Sequence, residues 1–249
     1  MSSDHDHAPA HDHSHDQPRT GFPWGLLLAL ISSVAICWLG LTGRLNLYIH
    51  PRYNVFTIVM AGLAAIATVA AWAVRGRRGG GGGRSWAAVV AAAAMVVALL
   101  IVPPSTLTAS SAQQRSPNSG PEADTTALAG ADPSSFRFRD WAVLVANPNS
   151  AATYAGQQVK LTGFVAPTGD KRSDMFYLAK FVVTCCTVDA RPAVLPVIKA
   201  DWAKSYKADQ WLEVTGRLMP VEDAPGGAVL VIRPTGIRSV PAPEIPYEY

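Results

Sequence analysis

Two cysteines stand side by side in the segment FVVTCCTVDARP, residues 181–192, of a chain that has only three cysteines. Adjacent α-carbons lie about 3.8 Å apart, which is less than the span of about 4.4–6.8 Å that a disulfide normally bridges. A disulfide between Cys185 and Cys186 would therefore be strained and easily reduced. In a regular strand the two side chains would point to opposite faces, so both can bind one ion only where the strand ends or bulges.

Asp189 follows the cysteine pair by three residues and supplies a third candidate ligand. The polar run TVDARP indicates that the strand ends near the pair, so that Asp189 can fold back toward the thiols. Two thiolates and a carboxylate suit zinc or copper(I) best. The sequence therefore predicts a transition-metal site at Cys185, Cys186 and Asp189. The alternative is one small buried apolar cysteine and one incidental cysteine, because the CxxC spacing of strong zinc sites is absent.

A second set of candidate ligands lies in the N-terminal segment MSSDHDHAPAHDHSHD. Histidines alternate there with aspartates, and the histidines are His5, His7, His11, His13 and His15. Imidazoles and carboxylates in a flexible tail bind zinc or nickel weakly and exchange it fast. We therefore expect residues 1–20 to form a disordered tail with weak metal contact. The alternative is a solvated low-complexity segment without a role.

Three long apolar runs precede the cysteine pair and predict a membrane domain over residues 21–104. The predicted helices cover about 24–43, 54–74 and 86–103. A helix rises about 1.5 Å per residue, so about 20 apolar residues cross a hydrocarbon core of about 30 Å. The first two runs meet this length, whereas the third is shorter and rich in alanine. The fold class predicted for this half is three transmembrane helices in a lipid bilayer.

The arginines between the runs predict the orientation of the chain. The second connecting loop carries four of them, Arg75, Arg77, Arg78 and Arg84, whereas the first carries two, Arg44 and Arg52. The positive-inside rule then places the second loop in the cytoplasm and the C-terminal half outside it. If the third run does not span, the C-terminal half lies in the cytoplasm instead.

The C-terminal half alternates between apolar and polar residues in a pattern typical of β-strands. Residues 105–135 are rich in Ser, Ala, Pro and Asp and predict a disordered linker. Residues 136–249 contain five apolar-alternating segments, with one short helical segment between the third and the fourth. This order predicts an all-β domain, an OB-like five-stranded barrel with one short helix. A two-sheet sandwich is the rival fold, and five strands are few for one.

Several functional classes are disfavoured by what the chain lacks. The run GGGGG at 79–83 is followed by no lysine, and neither GxSxG nor HExxH occurs in the sequence. Residues 110–249 contain equal numbers of acidic and basic residues, so the predicted barrel lacks the basic field that nucleic-acid binding needs. The sequence therefore predicts neither an enzyme nor a nucleic-acid partner.

Two stretches together resemble the bacterial YcgQ-like family. One is TGRLNLYIHPRY, residues 42–53, after the first apolar run, and the other is AKFVVTCCTVDARPAVLPV in the predicted barrel. In the second stretch the resemblance depends on Cys185, Cys186, Asp189, Ala190 and Pro192. Lys180 departs from it, since arginine is expected at that position. Members of the family are described as candidate permease subunits that carry a domain of unknown function. The histidine-rich tail is not part of the family pattern.

The resemblance implies a partner, a separate multi-helix membrane permease, and a location in the bacterial cell (inner) membrane with several spans. With the ligand pattern it predicts an accessory permease subunit for metal-ion transport or handling, whose C-terminal domain is extracytoplasmic. The cofactor or cargo expected is zinc or another transition metal. Two alternatives stay open: a thiol-redox protein that cycles the vicinal pair, and a purely structural subunit that stabilises the permease.

Overall fold

The computed structural model describes residues 24–77, 106–115, 128, 130–170 and 172–249. The histidine-rich tail and the third apolar run, both predicted above, lie outside these residues. The chain divides into two compact units, Met1–Ala35 with Gly62–Ile101 and Ile36–Ala61 with Val102–Tyr249. The second unit contains the cysteine pair, so its structure decides how the predicted site is built.

Two apolar helices come first, α1 at Trp24–Leu41 and α2 at Asn54–Arg77. One helical stretch in the described part of the chain is long and apolar enough to cross a membrane by length and composition. It is Pro51–Val74, with 24 residues, and it contains most of α2. The other apolar helix, Gly25–Leu41, is shorter. The expectation of three membrane spans is therefore not confirmed, and one candidate span is found.

The segment between α1 and α2, residues 42–53, forms a compact connection that we call the hairpin loop. It contains two short 3-10 turns, Arg44–Leu47 and Pro51–Tyr53. Gly43 enters it with a φ of 73°, a left-handed conformation that glycine adopts without strain. The two helices approach closely beside the loop, and a Cβ at position 40 would overlap the side chain of Ile58.

The C-terminal half is a barrel of five long strands, as the alternation predicts. The strands are β1 at Gln158–Ala166, β2 at Met175–Val182, β3 at Arg191–Ile198, β4 at Trp211–Pro220 and β5 at Leu230–Ser239. A two-residue strand, β6 at Tyr247–Glu248, adds to β2. The sheet order is β1-β4-β5-β3-β2-β6, and additional pairing of β1 with β2 closes the barrel. Closure excludes the sandwich.

Pairing directions in the barrel match those of an OB-like fold. Strands β3 and β5 pair in parallel, whereas β1–β2, β2–β3, β1–β4 and β4–β5 are antiparallel. Gly163 in β1 permits the closure, because a Cβ there would lie 2.6 Å from the backbone oxygen of Ala179. The core includes Phe176, Leu178 and Leu195, all fully buried. The predicted OB-like barrel is therefore confirmed.

Helices cover the barrel at three places. The helix α4 at Phe138–Ala146 packs Trp141 and Val145 into the core, and α5 at Ser150–Tyr154 follows it. The short helix α6 at Trp202–Ser205 lies between β3 and β4, where the sequence predicts one. An earlier helix, α3 at Ala109–Gln114, also packs on the barrel.

Helix α3 lies inside the range 105–135, for which the sequence predicts a disordered linker. We call residues 106–115 the strap. Ala109 and Ala112 are buried in a cluster with Phe164, and the Asp209 carboxylate accepts a hydrogen bond from the Ala109 N–H at 2.5 Å. The linker expectation therefore fails here, because small alanines have little apolar side chain to signal burial. Residues 116–127, also in that range, lie outside the described residues.

Candidate metal site at the cysteine turn

The predicted ligands lie in one turn between two barrel strands, residues 184–190, which we call the cysteine turn. Strand β2 ends at Val182 and β3 begins at Arg191. The strand therefore ends before the cysteine pair, as the polar run after it predicts. The backbone N–H of Val183 bonds to the carbonyl of Glu248 at 2.8 Å, so the first side of the turn is anchored to β6.

The Asp189 carboxylate folds back over the cysteine turn and fixes its backbone. It accepts hydrogen bonds from the backbone N–H of Thr184 at 3.1 Å and of Cys185 at 2.7 Å. The Asp189 N–H in return donates to the carbonyl of Cys186 at 3.0 Å. One acidic side chain therefore closes the turn, and its oxygens stay beside the two thiols.

The three predicted ligands are brought together. The two Sγ atoms lie 3.6 Å apart, and the ligand atoms of Cys185, Cys186 and Asp189 all lie within 4.8 Å of one another. A tetrahedral zinc with Zn–S bonds of about 2.3 Å would hold two sulfurs about 3.8 Å apart. The observed spacing therefore fits a shared ion with a small adjustment. Both cysteines are free thiols in the structure.

The carboxylate also changes the acidity of the neighbouring thiol. Cys185 donates to Asp189 and lies beside Cys186, and these hydrogen bonds raise its pKa to about 11. Desolvation raises the pKa of Asp189, but hydrogen bonds from the Cys185 thiol and from backbone N–H groups outweigh it. The net result is a pKa of Asp189 below its usual value. Without a metal, the site at neutral pH is therefore a carboxylate beside a protonated Cys185. A bound cation would favour the thiolate instead, because metal ligation deprotonates thiols.

Solvent reaches the cysteine turn. Cys185 is exposed, and Cys186 and Asp189 are partly exposed. Three protein ligands leave a fourth tetrahedral position open, as in sites that exchange a ligand, whereas structural zinc sites are closed by four protein ligands. The arrangement is therefore suited to an ion that enters and leaves.

The hairpin loop pairs with the cysteine turn through main-chain groups. The His50 N–H donates to the carbonyl of Cys185 at 2.9 Å, and the Thr187 N–H donates to the carbonyl of Tyr48 at 2.9 Å. These two bonds form an isolated antiparallel bridge between Ile49 and Cys186. The backbone on both sides of Cys186 is therefore held by a segment that lies more than a hundred residues earlier in the chain.

Two further segments contact the same region. The hydroxyl of Tyr249 donates to the carbonyl of Asn46 at 2.5 Å, and the Tyr249 ring meets the His50 ring edge-on, with centroids 4.8 Å apart. Arg115, at the end of the strap, donates through its guanidinium to the carbonyls of Thr187 and Ala190. The hairpin loop, the strap and the C-terminal strand therefore all converge at the cysteine turn.

His50 is close to the turn, but it acts as a helix cap and not as a ligand. Its Nδ1 accepts the backbone N–H of Arg52 at 3.1 Å and so caps the turn at Pro51–Tyr53. A neutral imidazole that accepts at Nδ1 carries its proton on Nε2, so neither nitrogen offers a free lone pair to a metal. His50 is accordingly absent from the ligand group formed by the described residues.

Sequence reasoning named the three residues that the structure groups, but it missed the residues that hold their turn. Arg115, Tyr249 and the hairpin-loop backbone carry no motif that points to the cysteines. Both TGRLNLYIHPRY and the cysteine segment stand out in the sequence, yet nothing in either predicts that they meet. A signal could have come only from the shared presence of the two stretches in one chain.

The cysteine turn lies within a domain that other proteins share. No curated protein matches the chain. Residues 138–249, from α4 to the C-terminal strand, match the family described as DUF1980 C-terminal domain. The barrel and its cysteine turn are therefore similar to the DUF1980 C-terminal domain, a family of unknown function.

Proposed function

We propose that this protein is a membrane-anchored accessory subunit of a two-component permease and that it handles a transition-metal ion at the cysteine turn. The observation that carries the proposal is the grouping of two sulfurs and one carboxylate within 4.8 Å, with the sulfurs 3.6 Å apart. Zinc and copper(I) suit this donor set. The DUF1980 match is consistent with the YcgQ-like family, whose resemblance implies a separate multi-helix permease as the partner.

The open geometry supports transfer of the ion over permanent storage. All three ligand atoms come from one short turn, and Cys185 is exposed to solvent. A fourth ligand can therefore come from water or from a partner protein. An incoming donor at that position could take the ion without passing through the barrel core.

The pairing of the hairpin loop with the cysteine turn supports an extracytoplasmic barrel. These two segments bond to each other, so they must lie on the same side of a membrane. A spanning α2 carries the chain to the opposite side, and the chain must cross again before the strap. This requirement supports the third apolar run, about 86–103, as a span. The arginine distribution then puts the barrel outside the cytoplasm.

The histidine-rich tail would lie on the cytoplasmic side under this topology. Its five histidines, between positions 5 and 15, would bind zinc or nickel weakly there. The proposal assigns the tail no role in the extracytoplasmic site. Removal of residues 2–16 should therefore leave metal binding at the cysteine turn unchanged.

The test uses the full-length protein in lipid nanodiscs with cobalt(II) as a spectroscopic substitute for zinc. Cys185→Ser and Cys186→Ser should each abolish the thiolate-to-cobalt absorption band, because a hydroxyl is a poor soft-metal ligand. Cys37→Ser is the matched control, since Cys37 lies in α1 away from the cluster. A parent without the band, or a Cys37→Ser variant that loses it equally, would refute the site.

A thiol-redox function is the second candidate, because two free Sγ atoms 3.6 Å apart could form a vicinal disulfide. The raised pKa of Cys185 opposes it, since little thiolate exists near neutral pH to attack a disulfide. Mass spectrometry distinguishes the two functions. A reversible loss of about two mass units, without metal binding, would favour redox cycling. Permease activity that survives both serine substitutions would favour the structural alternative.

A further inference from the structure

Two chain segments that border the apolar runs converge at the cysteine turn. The hairpin loop joins α1 to α2, and the strap begins three residues after the end of the third run at 103. Both bond to the turn, the loop through Tyr48 and His50 and the strap through Arg115. The turn is therefore a junction between the barrel and the segments that enter the membrane domain.

The backbone of the turn divides its hydrogen bonds between Asp189 and the hairpin loop. Asp189 takes the N–H groups of Thr184 and Cys185, whereas the loop takes the Cys185 carbonyl and the Thr187 N–H. The backbone of Cys185 is therefore restrained on both sides, at its N–H by Asp189 and at its carbonyl by His50 of the loop. Any change in the direction of the two thiols must alter bonds to Asp189, to the loop, or to both.

We propose that docking of the hairpin loop and occupation of the cysteine turn by a metal ion stabilise each other. The inference rests on the metal site proposed above. A metal that joins Cys185, Cys186 and Asp189 fixes the turn in the one arrangement that the loop contacts. A docked loop in turn limits the arrangements that the turn can adopt without metal. Each event therefore reduces the loss of conformational entropy that accompanies the other.

The consequence is a path from the site to the helices. The hairpin loop is continuous with α1 on one side and with α2 on the other. Loss of the ion would weaken the loop contact, and the helix pair would then gain freedom at its connecting end. A partner that contacts the helices could therefore respond to whether the metal site is occupied.

The test compares two tyrosine variants of the full-length protein in nanodiscs, with zinc as the probe. Tyr249→Phe removes the hydroxyl bond to Asn46 in the hairpin loop and leaves every ligand in place. Tyr154→Phe is the matched control, because its hydroxyl bonds to the carbonyl of Leu128, which is not part of the loop or the turn. Tyr249→Phe should weaken zinc binding by about 2- to 10-fold, the net effect of one hydrogen bond.

Hydrogen exchange provides the reciprocal measurement. Zinc should slow exchange at the amides of His50 and Thr187 in the parent and leave the barrel-core amide of Leu178 unchanged. Zinc binding with equal affinity in all three proteins, together with unchanged exchange at His50, would overturn the coupling and leave the metal site standing. A parent that binds no zinc would overturn both the proposed site and the coupling.

Discussion

Two loops of the barrel are each organised by aspartates, and they differ in how the negative charge is compensated. In the loop between β1 and β2, Arg172 bridges Asp174 and Asp223 with contacts of 3.1 and 3.4 Å. In the cysteine turn, Asp189 is held by N–H and S–H groups, and among the described residues it forms no ion pair. In the first loop Arg172 compensates the negative charge of the aspartates. The second loop retains a carboxylate without a cationic partner among the described residues, and this carboxylate can bind a cation.

The comparison separates a structural loop from a candidate binding loop by physical criteria. In an ion pair inside the chain, the guanidinium compensates the negative charge of the carboxylate, so little attraction for another cation is left. A carboxylate held by neutral donors keeps its charge and stays available. Proximity of Asp189 to two thiols then makes the available charge selective for metals that prefer sulfur.

The largest expected effect concerns the two carboxylates. Asp189→Asn should weaken zinc or cobalt binding on the order of 100-fold, because it removes a charged ligand and keeps one oxygen, which can accept one of the two turn N–H groups. Asp174→Asn is the matched control and should leave the affinity unchanged, since Asp174 pairs with Arg172. Isothermal titration of both variants checks this. Equal affinities for Asp189→Asn and the parent would remove the distinction between the loops.

The second prediction concerns thiol reactivity in the metal-free protein. The Cys185 pKa of about 11, raised by Asp189 and Cys186, should make its alkylation slow at pH 8 and faster as pH approaches 11. Asp189→Asn removes the main cause, so the apparent pKa should fall toward the ordinary value of 9.0. The thiolate fraction at pH 8 should then rise by up to about 90-fold, and alkylation should accelerate by about 10-fold, because a thiolate of lower pKa is a weaker nucleophile.

Mass spectrometry of iodoacetamide-labelled peptides in a Cys37→Ser background measures this rate for Cys185. The sign is decisive, since a carboxylate that activated the thiol would give slower labelling in Asp189→Asn. Equal labelling rates of Asp189→Asn and the parent across pH 7 to 10 would show that Asp189 does not control the thiol.

The third prediction tests the structural loop. Arg172→Ala removes the contacts to Asp174 and Asp223, which are partly exposed pairs of small energetic value. The melting temperature should fall by about 2–5 °C. Metal affinity should stay at the parental value. A variant that melts like the parent but binds metal less tightly would contradict the assigned roles of the two loops.

The smallest expected effect involves a third carboxylate, Glu248 in β6, which is buried beside the turn. Desolvation raises its pKa, and the N–H of Arg139 and the charges of Lys180 and Arg139 only partly oppose this, with Asp140 adding to the rise. A raised pKa means that the stability contribution is present below about pH 4.5 and is lost as pH rises through the folded-state value.

Glu248→Gln should therefore melt at a slightly higher temperature than the parent at pH 7 and at the same temperature near pH 4. Thermal melts at both pH values check the sign. A variant that is less stable at pH 7 would show that the ionised carboxylate stabilises the barrel. Glu248→Gln should not alter metal affinity, because Glu248 is not a member of the ligand group.

Much of the barrel could be predicted because its signal lies in side chains. Val159 and Leu161 alternate with polar residues, and Gly163 marks the close approach of β1 to the backbone of Ala179. The grouping of Cys185, Cys186 and Asp189 was also predictable, since Asp189 follows the cysteines in a polar run that ends the strand. Local chemistry decides both features.

Other features could not be predicted because main-chain groups or small side chains carry them. The bridge between Ile49 and Cys186 consists of backbone hydrogen bonds, which any residue except proline can donate or accept. The strap packs through Ala109 and Ala112, whose composition resembles that of a linker. The number of membrane spans depends on a third run that lies outside the described residues and stays a prediction.

The placement of all ligand atoms in a turn has a consequence for the life of the protein in the cell. Buried residues such as Phe176 and Leu195 complete the barrel core without any ion, unlike small zinc domains that unfold when zinc leaves. Under the proposed function, metal starvation would therefore empty the site without exposing the chain to proteolysis. Abundance of the protein would not follow metal supply through folding, and an emptied molecule could bind a new ion as soon as one returned.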